Sequence, residues 1–172
     1  VDERPPLTLT SDKSTECYRN WWPGPGDTMV AFANRSIDLL ERLARETDNA
    51  FLMNRRGYLF ATAENGAALV EAAAETSSLG AGELRFHAGA SGGYVPAPPH
   101  GFEGLPGGID LFEDPVLIQK HFPYLSETAR TVAHARRCGW LSAQQLGMTL
   151  LSQARDAGVT LVRGKVTAVD KT

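Results

Sequence analysis

Gly139–Asp170 reads GWLSAQQLGMTLLSQARDAGVTLVRGKVTAVD and lays out a helix followed by two strands. Ser142, with Gln145 three residues on, is a capping-box start in which each side chain satisfies an orphan backbone N–H at the helix entry. Ala143, Leu146, Gly147, Leu150, Leu151 and Ala154 recur at three- and four-residue spacing and form one apolar stripe. Gly158 ends the helix where a left-handed residue costs least. Val159–Arg163 and Lys165–Val169 then read as short β-branched strands separated by Gly164. A helix running into strands needs a sheet to dock on, so the chain is expected to be α/β.

Composition narrows the classes. The chain has 172 residues and a net charge of −3 with the signs interleaved, which gives no basic footprint for nucleic acid. No apolar run reaches the roughly 18 residues of a membrane helix, and no signal peptide is visible. The two cysteines, Cys17 and Cys138, lie far apart without metal-ligand spacing; this points to a reducing, cytoplasmic setting. Strand-like residues run to both ends, from Val1-Asp2-Glu3-Arg4 to Val169-Asp170, so an internal fragment is expected.

Working back to the start, an acid directly after an apolar residue marks the end of a strand, and Pro5-Pro6 turns the chain out of the sheet. Leu7–Asn20, LTLTSDKSTECYRN, is dense in hydroxyls and carries Lys13 and Arg19. It reads either as a solvated loop or as one wrapped on an anionic ligand. Trp21-Trp22 precedes a Pro-Gly turn, after which Asp27 or Thr28 caps a helix. Met29, Phe32, Ala33, Ile37, Leu40, Leu43 and Ala44 form its apolar stripe, which reads as core. Phe51–Thr62 reads as two strand pieces around Arg55-Arg56-Gly57, and Asn65 caps a helix running to about Leu79. Residues 80–110 are rich in Gly and Pro, and short strands such as Glu83–His87 are expected among them. Asp114-Pro115 opens a short helix, Val116–His121, and Thr131–Arg136 is expected to be a strand.

Three motifs carry little. Gly89-Ala90-Ser91-Gly92-Gly93 matches the nucleophile-elbow pattern, but the Pro-rich Tyr94–Pro99 that follows cannot form the helix that exposes the serine. Gly80-Ala81-Gly82 follows a helix and lacks a third glycine, so it reads as a connector. His87, His100, His121 and His134 show no metal spacing.

The start VDERPP…TSDKSTECYRN and the end GWLSAQQLGMTLLSQARDAGVTLVRGKVTAVD together resemble the D-amino-acid oxidase family of FAD-dependent oxidoreductases. Within it the likeness is to the sarcosine oxidase and glycine oxidase group. The order also agrees: acid-ended strand, hydroxyl-rich loop, long helix, an excursion, then helix and strands. The middle segment PVLIQKHFPYL resembles the family's short helix running into an aromatic-proline pair.

The resemblance implies a partial FAD/NAD(P)-binding Rossmann-like domain in two pieces, residues 1–47 and 139–172. An α+β substrate or cap domain, residues 48–138, lies between them. Asp2 matches the acid that hydrogen-bonds the adenosine ribose hydroxyls, with Glu3 as the alternative one residue along, and Arg4 falls near the adenine. Thr10, Ser11, Lys13 and Ser14 match the loop that passes the pyrophosphate and flavin, and Val166 the strand residue whose backbone holds the adenine edge. The family's strand–GxGxxG–helix is absent from these residues, and no residue matches a catalytic one. The implied activity is oxidation of a small amine or amino acid, with hydride transfer to FAD. A dehydrogenase passing electrons to a carrier is the alternative on the same fold. A serine hydrolase using Ser91 and a flavin-free binding domain are the alternatives from other classes.

Overall fold

The computed structural model describes residues 1–9, 16–89 and 93–170, and the chain is mixed α/β with two sheets and four α-helices among them. Strands β1 (Glu16–Arg19) and β6 (Cys138–Leu141) form an antiparallel pair. Strands β2 (Tyr58–Thr62), β3 (Leu84–His87), β4 (Ile109–Phe112) and β5 (Thr131–Ala135) form a second sheet in the order β2-β5-β4-β3. Its β3–β4 pair is parallel and the rest antiparallel. The central strands β4 and β5 are buried along their whole length, as strands covered on both faces must be.

Alternation along those strands builds two cores. Ile109, Leu111, Ala133 and Ala135 face helix α2 (Ala67–Thr76) and Trp21. Phe112 and Val132 face the other way, onto Leu117 and Ile118 of helix α3 (Pro115–His121). Helix α1 (Thr28–Glu46) sets Ile37 and Ala44 against Phe51, Met53, Phe102 and Leu141 in a third cluster. Leu146 of helix α4 (Ala143–Asp156) packs at its margin. Where β3 meets β4, Gly108 lies against Glu83; a Cβ there would come 2.1 Å from the Glu83 carbonyl oxygen, at a φ of +79°. Only glycine fits this junction.

The caps follow the sequence. Ser142 accepts from the Gln145 backbone N–H, though its own N–H goes to the Phe51 carbonyl rather than to Gln145; Asp114 accepts from Val116; Asn65 accepts from Ala67, with Gly66 standing at the cap position. Asp27 precedes α1 but makes no side-chain capping bond. The strands expected at Glu83–His87 and Thr131–Arg136 are present as Leu84–His87 and Thr131–Ala135.

Three expectations are corrected. Val159–Arg163 and Lys165–Val169 form no strand among the described residues; their one ladder contact is an isolated parallel bridge between Asp2 and Arg163. A β-branched run becomes a strand only when a neighbour supplies its hydrogen bonds, and Val159, Val162, Val166 and Val169 lie exposed. The first half of Phe51–Thr62 is a turn with a single bridge from Asn54 to Trp140, because Asp48, Asn49 and Leu52 take positive φ. The hydroxyl-rich loop ends in β1, four residues read as loop because the sequence does not show that β6 waits beside them.

Candidate functional site

Two features bring chemistry-bearing side chains to cavities. The first is built by β1 and α1. In β1 the side chains alternate, with Cys17 and Arg19 turned outward and Glu16 and Tyr18 half-buried. Tyr18 anchors the strand through a 2.5 Å hydrogen bond from its hydroxyl to the Asn54 carbonyl. The next residues divide: Trp21 is buried and stacks on Phe60 at 4.6 Å, while Trp22 turns toward the surface. Between them and α1 lies a cavity of about 350 Å³, lined by Cys17, Arg19, Trp22, Tyr58 and the helix face Met29, Phe32, Ser36 and Leu40. The apolar stripe of α1 therefore serves two ends. Ile37 and Ala44 go to the core, while Met29 and Phe32 stay exposed on the cavity.

Arg19 is the cation of this cavity. Its guanidinium carbon lies 4.3 Å from the Trp22 ring centroid, and among the described residues no carboxylate pairs with it. Other guanidiniums have carboxylate partners: Arg137 pairs with Asp38 and Glu41, Arg55 with the same Glu41, and Arg85 with Asp110. A second cavity, about 400 Å³, shares Cys17, Tyr18 and Leu40 as a common wall and reaches Leu146 and Leu150 of α4.

The second feature is at Asp2. The backbone N–H of Asp2 donates to the Val162 carbonyl at 3.2 Å, and its own carbonyl accepts from the Gly164 N–H at 2.9 Å. This holds the first residues parallel to the segment after α4. Asp2 Oδ1 accepts from the Arg4 N–H at 2.9 Å and lies 3.6 Å from its Nε, whereas Oδ2 has no partner among the described residues. The Arg4 backbone hydrogen bond, followed by the Arg4 charge, holds the Asp2 carboxyl below the usual carboxylate range. Asp2 and Arg4 stand at a cavity of about 430 Å³ whose other walls are Pro5, Pro6, Leu7, Thr8, Leu9, Leu151 and Leu161.

Of the residues singled out in the sequence, Asp2 and Arg4 thus share one cavity. Glu3 gives its carbonyl to Arg163 at 3.4 Å, and its side chain is not part of the lining. Val166 is exposed and touches neither cavity. Thr10, Ser11, Lys13, Ser14 and Ser91 lie outside the described residues. Arg19 was legible only as a charge within a loop; the period-two alternation of Glu16–Arg19 was the available signal, too short to stand out from hydroxyl-rich surroundings.

The most elaborate polar cluster is on the far face of the four-stranded sheet, away from Trp21. Asp110 Oδ1 accepts from Arg85 Nε at 2.7 Å and sits 2.8 Å from His87 Nε2, while Oδ2 accepts from Arg136 Nη1 at 2.9 Å. Burial pushes the Asp110 carboxyl upward, but the hydrogen bonds from Arg85 and His87 and the guanidinium charges outweigh it and hold the pKa low. His134 Nε2 lies 2.8 Å from the Arg56 carbonyl, so Nε2 carries the proton and Nδ1 accepts from the Tyr94 hydroxyl at 3.0 Å. Burial and the Arg136 charge push His134 down to about 4, so the ring is neutral near pH 7. Tyr94 lies over the Arg136 guanidinium at 5.3 Å, and burial raises its hydroxyl to about 12. These groups hold one another, and their evident work is to tie the 93–98 segment onto the sheet.

Both cysteines are free thiols, Cys17 exposed and Cys138 buried. Among the described residues no helix is long and apolar enough to cross a membrane, and no group of His, Cys, Asp and Glu has the arrangement of a metal site. No family model and no curated protein matches the chain.

Proposed function

We propose that this chain is part of an FAD-dependent oxidoreductase that oxidises a small amine or amino acid, with Asp2 at the adenosine end of the cofactor and Arg19 on the substrate side. The observation that carries the reading is the parallel pairing of Asp2 with Arg163. It sets Asp2, whose Oδ2 has no hydrogen-bond partner among the described residues, beside a largely apolar cavity. In dinucleotide-binding folds an acid takes the ribose hydroxyls in this way.

The residues fit that group. Asp2 Oδ2 is an acceptor for a ribose hydroxyl, and Pro5, Leu7, Leu151 and Leu161 offer apolar surface to a flat base. The phosphate-binding glycine turn would come from sequence outside these residues. Bound FAD would supply the acceptor for the hydride leaving the C–H beside the substrate amine. The chain's own contribution would be to orient. Arg19 presents a planar fork of N–H donors to a carboxylate in a cavity of about 350 Å³, the size class of a small ligand.

Two variants in the full-length protein test the two halves of the reading. Asp2→Ala should weaken FAD binding by about 1–3 kcal/mol, the cost of stranding hydrogen-bonded groups, while Glu3→Ala should do little. The reverse order in an FAD titration would move the acid one residue along. Arg19→Met should raise KM for an amino-acid substrate by about ten- to a hundredfold, the loss of a charge-assisted bidentate pair, and leave a carboxylate-free amine unaffected. An unchanged KM would remove Arg19 from the site.

A further inference from the structure

Arginine is a costly carboxylate receptor when it must be ordered at the moment of binding, since its long side chain carries about 2 kcal/mol of rotamer entropy. Arg19 already touches Trp22 at two points. The Trp22 indole Nε1 donates to the Arg19 backbone carbonyl at 3.1 Å, and the same indole lies under the guanidinium at 4.3 Å. We propose that Trp22 is the positioning residue that holds Arg19 ready for a substrate carboxylate, fixing its backbone through the indole N–H and its guanidinium through the ring face. The proposal rests on the reading of Arg19 given above.

The local sequence makes Trp22 suited to this. Trp21 is locked into the core against Phe60, and Pro23 restricts the residue before it to extended conformations. With an anchored neighbour on one side and a proline on the other, Trp22 has little freedom to leave. Stacking also differs from ion pairing in what it leaves over. A carboxylate partner, such as Asp110 for Arg85, consumes N–H donors and cancels the charge. An aromatic face supports the plane of the guanidinium, leaving its edge donors and charge free. Preordering of this kind improves affinity by removing part of the entropic cost of binding.

The test uses the full-length protein and two probes of equal shape, propionate and propionamide, with binding followed by calorimetry. Wild type should prefer propionate. Trp22→Leu should weaken propionate by about tenfold, the range of a partly desolvated cation–π contact, and leave propionamide unchanged. Trp22→Phe keeps a ring and should stay within about threefold of wild type. A merely structural role would move both probes together in Trp22→Leu, and that result would overturn the proposal. So would an unaltered propionate affinity in Trp22→Leu alongside its loss in Arg19→Met, with the Arg19 assignment left standing. If wild type shows no preference, or Arg19→Met loses none, the Arg19 assignment falls and the proposal with it. Should Trp22→Leu fail to fold, Trp22→His decides: lacking the broad indole face, it should sit between Phe and Leu in propionate affinity, and parity with wild type would overturn the idea.

Discussion

Asp110→Ala should destabilise the protein by about 3–5 kcal/mol, the cost of removing one partner from a buried ion pair. Arg136, whose side chain is 1% exposed, would lose the Asp110 carboxylate, and its Nη2 already lacks a hydrogen-bond partner among the described residues. Arg85 and His87 would lose the same anchor on the neighbouring strand. The penalty comes from stranded charge rather than lost volume, so a compensating pair should recover part of it. Asp110→Leu combined with Arg136→Met removes both buried charges and should be less destabilised than Asp110→Ala alone. Urea unfolding of the three proteins provides the comparison. A cost below about 1 kcal/mol for Asp110→Ala would mean that the cluster is hydrated and not the tie described.

The second large effect is on pH. His134 is held neutral in the fold, with its pKa lowered from 6.5 to about 4 by burial and by Arg136. Below pH 6.5 the unfolded chain takes up a proton that the folded one refuses, so stability is greatest above pH 6.5 and falls as the pH drops toward 4. A shift of this size corresponds to about 3 kcal/mol across that window. His121, half-buried, is shifted in the same direction and adds to the same slope. Asp110 has the usual carboxylate sign: its contribution is present above pH 3.8 and is lost only below the histidine window. Stability measured in steps from pH 7.5 to 4 should therefore slope, and His134→Gln should flatten most of that slope whatever its effect at neutral pH. A variant with the wild-type slope would assign the acid sensitivity elsewhere.

Much of the helical structure was legible because helices are local. Ser142, Asp114 and Asn65 act within a few residues, and each of these side chains accepts a backbone N–H at a helix start. The strands Leu84–His87 and Thr131–Ala135 were legible from composition. What residues 159–169 became was not. Their β-branched residues state a preference, but hydrogen bonds to a neighbour decide whether it is met, and here only Arg163 finds one. The same dependence hid β1, whose four residues are a strand because β6 lies against them more than a hundred residues later. It hid the site as well. The sequence by itself determined that Arg19 is charged, that Trp22 is held extended by Pro23, and that α1 carries one apolar stripe. Only the tertiary structure decided that Met29 and Phe32 from that stripe would face Arg19 across a cavity rather than close the core. Burial of a stripe depends on how much surface its partners offer, and the partners of α1 cover Val30, Ala33, Ile37 and Ala44 but leave Met29 and Phe32 on the uncovered side.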